Sequence, residues 1–305
     1  MIWLFGAGPM ALAYSAVLQN LDAEFRVFGR SQQSAAKFLK ATGQSVDVQP
    51  FTVVQRELSL ALPTAAIVAV STDQLCEVTN ALIDAGIRRI LVEKPGALAV
   101  GELEDCLRRA SAVGAEVLLG YNRRFYASVR KAREIVAADG GITTECFEVT
   151  EWGHVIAKLQ KSSAELSAWF LANTSHVVDL VWHLCGKPTQ LECLQSGSLE
   201  WHPTASAFAG AGATDKGVLF SYIGNWAAPG RWSIECCTSA HRLIFKPMEQ
   251  LQIQKLGSIE VTSVALDDAL DEAFKPGVYR QTQAFLQGDD GDLCSLAEHL
   301  SLIHI

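Results

Sequence analysis

Over the first 120 residues, short apolar runs alternate with segments of helical spacing. Met1-Ile2-Trp3-Leu4-Phe5, Phe25-Arg26-Val27-Phe28, Ala65-Ala66-Ile67-Val68-Ala69-Val70, Ile90-Leu91-Val92 and Val117-Leu118-Leu119 read as strands, the last three apolar enough to be covered on both faces. Between them the periodicity predicts helices near 9–20, 31–41, 73–85 and 100–114. Such alternation predicts an α/β Rossmann domain, a doubly wound parallel sheet with right-handed crossovers, over residues 1–121.

The rhythm changes after Gly120. An amphipathic helix near 126–138 leads into a β-branched and aromatic stretch, 142–152, that suits a long strand. From 189 to 264 short strands recur with turn signals, among them 217–223, 232–236, 241–245 and 251–255. A strong helix, 174–185, stops at Gly186 with Pro188 beyond it. Late helices are expected near 277–286 and 292–300. Residues 122–299 therefore read as an α+β second domain with a large, mostly antiparallel open sheet.

Composition narrows the partners. The 305-residue chain carries 25 Lys and Arg against 33 Asp and Glu, a net charge of −8, with no run of like charges, which argues against nucleic acid or an anionic membrane. No stretch approaches the roughly 20 apolar residues of a membrane span, so a cytoplasmic protein is expected. The eight cysteines are scattered without a CxxC pair and read as reduced thiols. The seven histidines show no ligand spacing, so no metal is expected.

Gly6-Ala7-Gly8-Pro9-Met10-Ala11 follows a strand and opens a helix, the context of a dinucleotide fingerprint. Gly6 permits the tight turn, Gly8 lets a pyrophosphate approach the backbone, and Ala11 allows close helix packing; Pro9 and Met10 begin the helix whose N-terminus faces the phosphates. The next strand ends Val27-Phe28-Gly29-Arg30-Ser31 and offers no carboxylate to an adenosine ribose, whereas Arg30 and Ser31 suit a 2′-phosphate. NADP is therefore favoured over NAD.

Val92-Glu93-Lys94-Pro95 and Gly120-Tyr121-Asn122-Arg123-Arg124-Phe125 stand at the C-terminal ends of successive predicted strands, where open α/β sheets place their ligand crevice. Together with the GxGxxA turn, Ser71-Thr72-Asp73 after an earlier strand, and a later His-x-x-Asp, they make the chain similar to the Gfo/Idh/MocA oxidoreductases along nearly its whole length. The resemblance implies hydride transfer between NAD(P) and a sugar, cyclitol or nucleotide-sugar carbon, and a homo-oligomer, dimer or tetramer, through the second-domain sheet. It adds Ser71, Thr72, Glu93, Lys94, Pro95 and Asn122 to the cofactor cradle, Pro95 matching a proline that is often cis.

The resemblance also makes Lys94 the cation at the reacting oxygen and His176 the proton acceptor or donor, with Asp179 one helical turn on, in a substrate-facing or merely orienting role. The chemistry supports this, since carbinol oxidation requires a base for the hydroxyl proton and a cation for developing alkoxide charge. Arg123, Trp169, Asn173 and Arg231 are further candidate substrate contacts. His183, in an apolar helix, reads as structural. One departure stands out: the family commonly has an aspartate four residues before the histidine, and this chain has Ala172. That keeps two alternatives open, a non-catalytic NAD(P)-binding regulator or sensor, and an enzyme that uses bound NAD transiently for elimination or hydrolysis. Finally, Leu300-Ser301-Leu302-Ile303-His304-Ile305 reads as the translation of a transposase sequencing adapter, so residues 300–305 are expected to be a non-native tail.

Overall fold

The computed structural model describes residues 1–58 and 61–302; residues 303–305, the end of the expected tail, lie outside the described residues. The chain divides into two compact units, one formed by Met1–Asn122 with Leu270–Ser301, the other by Arg123–Ala269 with Leu302.

The first unit is built on β1 (Ile2–Phe5), β2 (Phe25–Gly29), β3 (Val46–Val48), β4 (Ala65–Val68), β5 (Arg89–Val92) and β6 (Glu116–Leu119), all parallel. The crossovers carry α1 (Pro9–Asn20), α2 (Gln32–Thr42), α3 (Phe51–Leu58), α4 (Leu75–Asp84) and α5 (Val100–Val113). The strands lie in the order β6-β5-β4-β1-β2-β3, so the winding reverses between β1 and β4. A crevice opens at such a switch point, beyond the carboxyl ends of the strands. β1 and β4 are buried at every position, as central strands under helices on both faces require. The sequence reading omitted β3 and α3, because three residues of Val-Asp-Val carry too little periodicity to announce a strand.

The end of the chain completes this unit. α11 (Val278–Gln287) packs against α1, and β15 (Cys294–Ser295) adds an antiparallel edge to β6 ahead of α12 (Leu296–Leu302). Arg89 holds the segment by donating to the Phe285 carbonyl at 2.9 Å and pairing with Asp290 at 2.6 Å. Chain order alone places this stretch in the second domain, whereas in the structure it packs into the first unit.

The second unit opens with α6 (Ala127–Ala138) and β7 (Thr144–Glu148), then two short helices, α7 (Gly153–Ile156) and α8 (Ser163–Ser167), and α9 (Ser175–Cys185). β8 (Pro188–Ser196), β9 (Ala207–Thr214), β10 (Leu219–Asn225), β11 (Ser233–Cys237), β12 (His241–Phe245), β13 (Gln252–Lys255) and β14 (Val261–Ser263) follow, and α10 (Ala269–Ala273) carries the chain back into the first unit. The eight strands form one sheet in the order β14-β13-β12-β11-β7-β10-β9-β8, antiparallel throughout except where β7 meets β10. α6 and α9 cover one face, packing Val129, Ala132, Val177, Val181 and Trp182 on Phe147, Phe220, Ile234 and Leu243. On the other face Leu194, Leu219 and Ile223 are exposed. The expected long strand over 142–152 is shorter, because beyond Val149 the Thr150 hydroxyl, not the backbone, accepts the Asn225 N–H at 3.1 Å.

Candidate active site

In the first unit the candidate residues gather on loops at the C-terminal edge of the parallel sheet. Gly6, at φ +119°, is the tight point of the β1–α1 turn: a Cβ there would stand 2.2 Å from the Ala69 carbonyl oxygen. Gly8 is the N-cap of α1 and offers no side-chain cap, Pro9 occupies the first turn, and a Cβ on Gly8 would meet open space. Space is thus left at the head of α1, with the positive end of the helix dipole behind it, which suits a pyrophosphate. Met10 is half-buried and Ala11 is fully buried against the sheet. These residues fit the dinucleotide that the turn implies.

After β2, Ser31 caps α2 by accepting the Ser34 N–H at 3.3 Å, while Arg30 is exposed. The two arginines of this region differ. Arg26 is bound to Asp47 at 2.8 Å and Glu57 at 3.0 Å and lies over the Phe28 ring, whereas Arg30 has no ion-pair partner among the described residues. Ser71 caps, and Thr72 opens, the 3₁₀ turn Thr72–Gln74 that follows β4.

Glu93 leaves β5 into the crevice loop and is buried, accepting the Tyr14 hydroxyl at 2.7 Å. Burial pushes its pKa up against the opposing pull of Tyr14 and Lys94, and burial likewise keeps the Tyr14 phenol protonated. Gly120 makes room for the pair, since a Cβ there would lie 3.0 Å from Glu93 Oε1. Glu93 therefore acts as a prop under the loop. Lys94 is half-exposed, and the Lys94–Pro95 peptide is cis. Asn122 is buried and donates to the Pro276 carbonyl at 2.8 Å.

In the second unit the candidates fall into two groups. His176, in the first turn of α9, is buried with its ring 6.4 Å from that of Trp232. Trp232 is flanked by two guanidinium groups, Arg123 at 4.9 Å and Arg231 at 4.5 Å. Burial lowers the Arg123 pKa. Asp179, by contrast, is bound on both oxygens by the buried Arg124, at 2.9 and 2.6 Å. Trp169 is buried beside Trp201 and Trp226, in a small cluster of its own with Ile156.

Sequence reasoning missed Glu151. Its carboxylate is 2% exposed and takes Asn173 Nδ2 and Thr174 Oγ1, both at 2.8 Å, and Arg231 Nη1 at 3.2 Å. Desolvation raises its pKa, with Thr174, Asn173 and Arg231 pulling it back. Asn173 and Thr174 belong to a π-helical turn, Phe170–Thr174, that runs directly into α9; such turns recur at functional sites. Ala172, where the family carries its acid, is buried in the same turn. A buried carboxylate thus stands in this region, supplied from the β7–α7 connection. Among the described residues no group of three His, Cys, Asp or Glu could hold a metal ion, and no helix is long and apolar enough to cross a membrane.

No curated protein matches the chain in sequence. Solved structures share the fold across it. Levoglucosan dehydrogenase in complex with NADH and levoglucosan is 15% identical at a TM-score of 0.76, the match covering 99% of this chain and 96% of that one. UDP-N-acetylglucosamine 3-dehydrogenase from Acidithiobacillus ferrooxidans is 13% identical at 0.75, covering 99% and 94%. An oxidoreductase from Agrobacterium radiobacter in complex with NAD+, L-tartaric acid and magnesium is 11% identical at 0.77, covering 99% and 92%. Residues 2–121 match the Gfo/Idh/MocA model, an oxidoreductase family with an NAD-binding Rossmann fold. Over residues 2–121 the first unit, with its glycine turn at the head of a parallel sheet, is therefore similar to the NAD-binding Rossmann domain of the Gfo/Idh/MocA oxidoreductases.

Proposed function

We propose that the protein is an NAD(P)-dependent dehydrogenase that moves a hydride between nicotinamide and a carbinol or carbonyl carbon of a sugar, cyclitol or nucleotide-sugar. The observation that carries this reading is the Gly6–Gly8 cradle at the head of α1, on the same sheet edge as Lys94. The sugar class is supported by the dehydrogenases of levoglucosan and UDP-N-acetylglucosamine that share the fold.

Bound nicotinamide supplies the hydride donor or acceptor. The remaining work falls to the chain. Lys94 holds the charge that develops on the substrate oxygen, and His176 accepts or returns the hydroxyl proton. Glu151 is a positioning residue that fixes Asn173 and Arg231, and Asn173, Arg123 and Arg231 supply polar contacts to the substrate. Trp169 and Asp179 support these from the interior. Arg30 and Ser31 favour NADP, because a guanidinium without a competing carboxylate is available to a 2′-phosphate.

The reading also takes the protein as cytoplasmic and as a homo-oligomer through the open sheet face, where the exposed Leu194, Leu219 and Ile223 support self-association. Lys94→Met and His176→Ala should each lower kcat by at least 100-fold while cofactor affinity, read by fluorescence titration, stays within a few-fold. Unchanged turnover in either variant would overturn its assigned role. A nicotinamide-binding sensor is the second reading, favoured by Ala172. Absorbance of the reduced cofactor after addition of a sugar panel separates the two.

A further inference from the structure

The second unit holds a cleft of about 680 Å³ between the β7–α7 connection and the loops before β9 and after β10. Its walls are mostly apolar and include Trp152, Ala157 and Trp201, with His154 and Glu200 at polar positions. Trp152 is 49% exposed, a large cost for an indole with no apolar cover. Yet it is held firmly: its Nε1–H donates to the Gly230 carbonyl at 2.9 Å, and Arg231 lies over its ring at 5.1 Å. Arg231 is not among the cleft residues. Trp201 is fixed in turn by parallel stacking on the buried Trp226, with ring centres 5.7 Å apart and planes 3° from parallel.

Two rigid indoles with a carboxylate and an imidazole beside them match the chemistry of a sugar ring. The apolar CH face of a pyranose lies on an aromatic plane, and its hydroxyls need acceptors and donors at the rim. Because the platform is ordered beforehand, little entropy is lost when a ring settles on it. Charge decides against a phosphate-bearing ligand, since the lining has Glu200 but neither lysine nor arginine.

The cleft also adjoins the candidate site within this unit. Trp152 follows Glu151 in the chain and shares Arg231 with it, and Arg231 reaches on to Trp232 beside His176. We propose that this cleft is a subsite for the second, unreacted pyranose ring of a neutral disaccharide or glycoside; its place beside the reacting ring rests on the dehydrogenase reading above.

The test is calorimetric binding to the full chain of glucose, cellobiose, maltose and UDP-glucose, alongside turnover of each sugar. A disaccharide is expected to bind at least 10-fold more tightly than glucose. Ala157→Trp, which fills the cleft, should remove that preference while leaving glucose binding unchanged, and Trp152→Ala should weaken disaccharide binding about 10-fold. No disaccharide preference, or a preference that survives in both variants, would overturn the subsite. Tighter binding of UDP-glucose than of either disaccharide would overturn it too. Binding is read without turnover, so cleft-dependent disaccharide affinity in a protein that reduces no cofactor counts against the dehydrogenase reading alone, and glucose turnover without disaccharide preference counts against the subsite alone.

Discussion

A buried carboxyl in the sheet of the second unit sets the clearest titration. Glu145 points to the covered face of β7 between the thiols of Cys185 and Cys236, and burial pushes its pKa up to about 8. The folded state therefore holds the proton more tightly than the unfolded chain. The stability this confers is complete at acid pH, declines as pH rises above the ordinary carboxylate value, and is lost once pH passes about 8. The slope in that window should approach about 1.4 kcal/mol per pH unit, and Glu145→Gln should flatten it; urea midpoints measured from pH 5 to 9 check this. At Arg30 the expected outcome concerns selectivity. Arg30→Ala should raise the Kd for NADP by about 10-fold or more while that for NAD moves less than threefold, as fluorescence titration would read; equal changes would refute the 2′-phosphate role. Gly6 and Gly8 were legible in the sequence because their role is local backbone chemistry. Glu151 was not, since its partners at 173, 174 and 231 are brought to it only by the fold.

At the scale of elements, α9 shows what spacing reveals and what it conceals. Its start, its stop at Gly186 and its apolar face follow from periodicity, and the structure places it over 175–185. The His-x-x-Asp spacing alone leaves Asp179 either facing the substrate or merely orienting its neighbours. Asp179 is bonded to Arg124, both nearly inaccessible, and Arg124 sits in a 3₁₀ turn that a hydrophobic pattern does not register. Removing one partner of such a pair leaves a buried charge uncompensated. Asp179→Asn should cost about 3–5 kcal/mol in chemical denaturation, and replacing both partners with apolar residues of similar volume should recover much of it. The π turn before α9 was equally hidden, because it depends on where backbone hydrogen bonds fall and not on which residues are apolar. Strand lengths failed for a related reason: 142–152 has β-prone residues throughout, but the ladder ends where side chains replace backbone partners.

Over the whole molecule, the alternating first half and the mostly antiparallel second half were legible, because parallel strands must be apolar on both sides and an open sheet must alternate. What pattern could not show was the destination of residues 270–301, whose helices look alike wherever they dock. Their docking gives the first unit a chain order that matters during synthesis. Residues 123–269 are contiguous and can settle as soon as they leave the ribosome, whereas the Rossmann sheet lacks its β15 edge and the α11 cover on α1 until the last segment emerges. The nucleotide cradle is translated before residues 123–269 and completed after them. A chain ending at residue 269 should thus retain a cooperative, protease-resistant second unit while residues 1–122 are digested, a difference that limited proteolysis with mass spectrometry would resolve. Until the final helices arrive, the nascent sheet exposes the apolar side of α1, so this stretch of the polypeptide is where chaperone engagement is expected to fall.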